Sequence, residues 1–216
     1  MTTLRDIIAK RYSGILSAGA HSDGRLACAL EAAHAAMGDL WSDAPDRWPD
    51  LRPMNDGPWS SDRARTEALV PTLEALWDWA DWPLARQVAW AHTVVLRTVR
   101  ELLPPALEAV GLHTEAAACA GATTIETVAD AAYNAANAAY DTANAAYDTA
   151  FNAAAAAYSA ADAAYSAALS ASGARGASSA ATHAARAAAD AARAHGIDGN
   201  ADCDAACTIW REAAAS

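Results

Sequence analysis

Between residues 130 and 170 the chain reads DAAYNAANAAYDTANAAYDTAFNAAAAAYSAADAAYSAALS, and its large side chains keep a schedule. Tyr133, Tyr140, Tyr147, Phe151, Tyr158, Tyr165 and Leu169 follow steps of 7, 7, 4, 7, 7 and 4. At about 100° per residue, each step of seven lags by about 20°, so all seven fall within an arc of about 40° on a straight α-helix. A strand would scatter them over two faces. Asn134, Asn137, Asp141, Asn144, Asp148, Asn152, Ser159, Asp162 and Ser166 lie beside this ridge, and alanine fills nearly all of the other half of the circumference. The spacing predicts one continuous helix over 124–171 with a wet face, a ridge of rings and a smooth alanine face. Thr123 and Glu126 form the capping box expected to open it, and no Gly or Pro interrupts residues 122–172.

A second alanine-rich segment follows the turn-like Ser172-Gly173-Ala174-Arg175-Gly176. It reads as a helix over 178–195, capped by Ser178 or Ser179 and ended by Gly196, with His183, Arg186, Asp190 and Arg193 in one polar stripe. Two alanine faces joined by a short loop imply a tight antiparallel hairpin, its seam lapped by tyrosine rings. A last helix over 202–214 closes the end. An ice-binding surface would need a regular threonine ladder, and only Thr142 and Thr149 fall in the stretch.

Residues 1–121 have a different texture, with seven of the eight tryptophans and all eight prolines. Thr3 and Asp6 cap a short helix through Lys10. A second helix is expected from Asp23 to Met37, with Leu26, Leu30, Ala33 and Met37 inward. An irregular segment, GDLWSDAPDRWPDLRPMNDGPWSSD, separates it from a helix starting at Ser61 or Asp62 that Pro71 can break. After Pro83, Leu84, Val88, Ala91, Val95, Val99 and Leu102 form a core stripe, which Pro104-Pro105 stops. A short helix then ends at Gly111, and Thr114 opens another. The chain is therefore expected to be all-α: a small helical domain over 1–121, then a long alanine-rich helix over 122–216 packed as an antiparallel hairpin with shorter helices.

Composition narrows the partners. Alanine accounts for 65 residues, and 14 of the 15 basic residues are arginine, a bias that suggests a GC-rich coding genome. The net charge of −11 divides into −5 for residues 1–121 and −6 for 122–216, so neither half offers the basic footprint of a nucleic-acid binder. The opening MTTLRDIIAKRYSG lacks an apolar signal core, and no run of 18 apolar residues is free of polar interruption, which points to a cytoplasmic protein without membrane contact. Cys28, Cys119, Cys203 and Cys207 include no C-x-x-C pair and read as reduced, buried thiols, although Cys203 and Cys207 would stack one turn apart on a helix.

The chemistry-bearing residues gather around the irregular segment. His21, Asp23, Glu31, Asp43, Asn55 and Asp56, walled by Trp41, Trp48 and Trp59, could form a polar pocket. A carboxylate beside an imidazole suits general base catalysis or a divalent metal. The same residues also suit structural work: Asp23 as a helix cap, Asn55-Asp56-Gly57 as a turn, His21 closing a hydrogen bond, and Glu31 with His34 as a solvated pair. No H-E-x-x-H, phosphate-binding glycine loop or G-x-S-x-G is present, so neither a cofactor nor a metal is expected.

The run HSDGRLACALEAA over 21–33, then WSDAP over 41–45 and ND at 55–56, resembles an uncharacterised family of high-GC bacterial and phage proteins with an alanine-rich helical tail. The resemblance implies a phage or mobile-element setting and makes His21, Asp23, Glu31, Asp43 and Asn55 the positions to test first. The residues together suggest a non-enzymatic protein that docks a protein partner or a second copy of itself through Tyr133, Tyr140, Tyr147, Phe151, Tyr158 and Tyr165. The alternative is a small-molecule-binding protein or metal-dependent enzyme built on His21, Glu31, Asp43 and Asn55.

Overall fold

Helix α1 (Leu4–Arg11) starts where Thr3 and Asp6 cap each other: the Thr3 hydroxyl accepts from the Asp6 N–H, and the Asp6 carboxylate accepts from the Thr3 N–H, both at 3.1 Å. Reciprocal caps of this kind satisfy backbone donors that a helix start leaves unpaired. Helix α2 (Ala29–Met37) opens in the same way with sulfur in place of a hydroxyl. The Cys28 thiol accepts from the Glu31 N–H at 3.5 Å, and the Glu31 carboxylate accepts from the Cys28 N–H at 2.7 Å. The expected start at Asp23 is thus displaced to Ala29, Leu26 lies outside the helix and is exposed, and Asp23 itself lies outside the described residues. The computed structural model describes residues 3–21, 25–39, 42–45, 47–143, 149–169, 174–195 and 199–216.

Helices α3 (Arg52–Asn55), α4 (Asp62–Ala75) and α5 (Leu84–Arg97) follow, with a 3-10 turn over Trp79–Asp81 between the last two. Ser61 caps α4 through its hydroxyl, and Pro71 sits inside that helix without ending it. The Pro104–Pro105 pair does not stop the helical path either. A wide turn over Thr98–Leu102, in which the Leu103 N–H reaches the Thr98 carbonyl, joins α5 to α6 (Leu103–Glu108). Both prolines then fall in the first turn of α6, where no backbone donor is required. The stripe expected here is largely the buried one: Ala91, Val95, Val99 and Leu102 are buried and Val88 partly so, but Leu84 is exposed, and Trp90 and Val94 join the buried face.

The remaining helices are α7 (His113–Gly121), α8 (Ile125–Ala143), α9 (Thr149–Leu169), α10 (Ala174–His195) and α11 (Gly199–Ala215). Among the described residues there is no strand, and the fold is all-α. The expected single long helix does not form. The Tyr158 hydroxyl donates to Asn137 Oδ1 at 3.3 Å. Twenty-one residues of straight helix would hold these positions about 31 Å apart, so α9 must fold back along α8. Residues 144–148, between the two helices in sequence, lie outside the described residues. The cap of α8 is one residue later than expected, with Thr124 accepting from the Thr127 N–H and Thr127 accepting from the Thr123 and Thr124 N–H groups. Helix α10 begins at Ala174, so Gly176 lies inside it instead of in a turn.

Helix α9 packs along both α8 and α10, and α10 packs in turn on α5 and α11. Ser166 Oγ lies 3.3 Å from Ser179 Oγ, and His183 Nδ1 lies 4.0 Å from Asp162 Oδ2. Four residues back on α9 thus match four residues forward on α10. The buried residues from both parts of the chain form one cluster, and Trp210 of α11 stacks edge-on against Trp90 of α5 with ring centroids 5.1 Å apart. The change of composition near residue 121 is not a gap in the packing.

Candidate functional site

His21, Glu31, Asn55 and Asp56 are brought together, and their polar atoms are engaged with one another and with backbone. The Glu31 carboxylate, buried at the start of α2, accepts from the His21 N–H at 2.7 Å and the Cys28 N–H at 2.7 Å, and lies 3.0 Å from His21 Nδ1. The buried Asn55 side chain accepts from the Ala29 N–H at 3.1 Å and donates to the Ser17 carbonyl at 3.1 Å and Asp56 Oδ1 at 2.9 Å. Asp56 Oδ1 also accepts from the Gly19 N–H at 2.7 Å. A buried polar group costs free energy unless it is paired. Here the bonds to His21, Cys28, Ala29, Ser17 and Gly19 tie the segment leading into α2 to the start of α2 and the end of α3. The arrangement is that of a fastener.

Asp43 stands apart, 3.9 Å from the Arg52 guanidinium, which is itself paired with Asp50 at 2.8 Å. Glu31 and His34 are not the solvated pair expected from their spacing. Both are buried, Glu31 turns to His21, and His34 Nε2 lies 3.0 Å from the Ala44 carbonyl while its Nδ1 lies 3.4 Å from Asp39 without hydrogen-bond geometry. Trp48 is buried against the His34 ring, and Trp59 donates to the Met54 carbonyl, so neither is free to wall a cavity. Trp41 lies outside the described residues.

Two features had no sequence signal. The first is Arg65, a buried guanidinium that donates through Nε to the Asn55 carbonyl at 2.6 Å and pairs with Asp62. The second is a groove of about 470 Å³ between α3 and α10, where Asp50, Arg52, Asp56, Arg186, Asp190 and Arg193 meet. Burial raises the Asp190 carboxyl above its usual range despite Arg193 at 2.6 Å, and Arg193 Nη2 also reaches the Asp56 carbonyl at 3.5 Å. Only a three-dimensional contact puts residues 50–56 beside 186–193.

The aromatic schedule has a different outcome. Tyr133, Tyr140, Phe151 and Tyr158 are 56, 59, 62 and 41% exposed. Tyr133, Asn137 and Tyr140 share a stripe at steps of four and three, and the Tyr158 hydroxyl bonds Asn137 between them. The rings therefore belong to one surface that spans α8 and α9. Tyr147 and the side chain of Tyr165 lie outside the described residues. The alanines behind the rings, from Ala131 to Ala139 on α8 and Ala153 to Ala160 on α9, supply the buried faces.

All four cysteines are free and buried, and burial pushes each thiol up to about 12. Cys203 touches the turn after α3: a Cβ at Gly57 would lie 2.9 Å from its Sγ. No group of three or more metal-ligating side chains occurs among the described residues, and no helix among them is long and apolar enough to cross a membrane. No family model matches the chain, and neither a curated protein nor a solved structure matches it.

Proposed function

We propose that this protein is a non-enzymatic interaction protein, acting in the cytoplasm, that docks a protein partner or a second copy through the aromatic face of α8 and α9. The observation that carries the reading is the exposure of Tyr133, Tyr140, Phe151 and Tyr158 on one surface. Large contiguous apolar surface is uncommon on proteins that bind nothing, and tyrosine is among the side chains enriched at protein interfaces. The polar residues around His21 favour the same reading, since Glu31, Asn55 and Asp56 make hydrogen bonds that hold the chain. The free, protonated thiols suit a reducing compartment. In the phage or mobile-element setting that the sequence resemblance implies, such a protein would act as an inhibitor of a host protein.

Photo-crosslinking in the producing cell tests this. Benzoylphenylalanine in place of Tyr140 should give a discrete adduct, whose mass distinguishes a second copy from another protein. The same probe at the exposed Arg63 of α4 should give none. Equal labelling from both positions, or from neither, removes the support for docking through this face.

A further inference from the structure

The exposed rings stand in a stretch of chain whose charged residues are all carboxylates. From residue 125 to residue 169 the chain contains Glu126, Asp130, Asp141, Asp148 and Asp162, and no Lys, Arg or His. Asp130 and Asp141 are exposed and bracket Tyr133 and Tyr140 on the outer stripe of α8. Asp162 is exposed one turn beyond Tyr158 on α9, with His183 Nδ1 of α10 at 4.0 Å. We propose that this face docks a basic segment of another protein, with arginine or lysine side chains laid over the tyrosine rings and paired with Asp130 and Asp141.

The inference rests on the docking reading above and chooses between its two occupants. A second copy would bring the same excess of carboxylates to the contact, and like charges facing each other oppose association. A basic segment removes that repulsion and gains from the ring faces, whose negative quadrupole attracts a guanidinium or ammonium group. The chain itself contains such a contact, with the Arg86 guanidinium 3.8 Å above the Trp82 ring. Tyr133 and Tyr140 are about 10 Å apart along the axis at 1.5 Å per residue, so side chains two turns apart on a partner helix can meet both rings.

The test uses the full chain and two labelled synthetic alanine–leucine peptides of about 20 residues, long enough to be helical. One carries arginine at helical steps of three and four, and its twin carries glutamate at the same positions. Anisotropy should show binding of the arginine peptide alone, at least about tenfold weaker in ~0.5 M salt than in ~0.05 M salt because exposed charges are screened. Asp130→Asn with Asp141→Asn should weaken it several-fold, and Tyr133→Ser with Tyr140→Ser should abolish it while circular dichroism stays unchanged. Equal binding of the glutamate peptide, or undiminished binding by the aspartate variant, overturns the basic partner. Self-association that the tyrosine variant abolishes also overturns it, in favour of a second copy, and leaves the docking reading standing. If neither peptide binds and the tyrosine variant changes no association, both readings fall.

Discussion

Among the described residues, the large side chains buried almost completely belong to residues 1–121, Trp48, Trp90, Leu16, Leu51, Leu73 and Leu107 among them, with Ile209 and Trp210 of α11 as exceptions. Among the described side chains of α8, α9 and α10 the buried hydrophobic residues are alanine with the exception of Val128, and Tyr133, Tyr140, Phe151 and Tyr158 face outward. One region hides its volume and the other displays it. A core of large side chains gains stability from the area removed from water. An alanine seam buries less area per residue and depends on close approach of helices, whose separation follows the size of the contacting side chains. The two regions should therefore fail in opposite ways: the first when a residue is made smaller, the second when one is made larger.

The largest effect is expected at Trp90, which lies within ring-contact range of Trp79, Trp82 and Trp210 and donates its indole N–H to the Trp210 carbonyl at 3.2 Å. Trp90→Ala should cost about 3–5 kcal/mol in urea or guanidinium unfolding. Because Trp210 belongs to α11, tryptophan emission and far-ultraviolet helicity should lose stability together. Separate transitions would mean that the two regions unfold as independent units.

Enlargement should act on the other region. Ala157 has no exposed surface on α9, and Ala157→Leu should cost about 1–3 kcal/mol by overpacking. Leu→Met at buried Leu73, which keeps volume nearly constant, should cost less than about 1.5 kcal/mol. If Ala157→Leu is neutral, the seam has slack and the contrast between the regions fails on its second side.

This contrast was half legible in the sequence. The spacing of Tyr133, Tyr140, Phe151 and Tyr158 separated a wet aromatic face from a buried alanine face, and that division holds on each helix. The break between α8 and α9 was not legible, because no Gly or Pro falls between Ala122 and Ser172. Helical propensity is local, whereas folding back gains a second alanine face to bury, and tertiary packing overrides propensity. The polar cluster was legible as a set of residues but not as an arrangement. Spacing put Glu31 and His34 on one turn of helix, yet the N-cap role of Cys28 aims Glu31 at His21. Arg65 and the Arg186 groove depend on contacts between distant segments, which no local pattern encodes.

Alkali probes both regions at once, since Cys28 and Cys119 lie in one and Cys203 and Cys207 in the other. Burial raises each thiol from 9.0 to about 12, so the folded state disfavours the thiolate. A group whose folded value is raised contributes its full stability below the unfolded value and loses it as pH climbs toward the folded one. Stability should thus fall between pH 9 and pH 12, with thiol-reactive dye inert at neutral pH. One shared kinetic phase for all four thiols in alkali is the outcome expected of a single cooperative unit. A fast pair and a slow pair would show that one region opens first.

The smallest effect is expected at Phe151, and it tests the displayed volume directly. A ring 62% exposed has little burial to lose, and substitutions at open surface positions usually change stability by less than about 0.5 kcal/mol. Phenylalanine and serine have similar helix propensities, so the backbone contributes little to the difference. Phe151→Ser should therefore leave the urea midpoint within about 0.5 kcal/mol of the parent, although it deletes the only phenylalanine in the chain. The same deletion in the first region, at Trp90, removes a ring that packing holds on every side. If Phe151→Ser instead costs more than about 1.5 kcal/mol, beyond the open-surface range, the ring is covered in the free protein. The outward face would then be part of a core, and α8 and α9 would have no aromatic surface left for a partner. If stability holds while crosslinking from position 140 is lost, the ring contributes to association and not to folding, as an interface residue should.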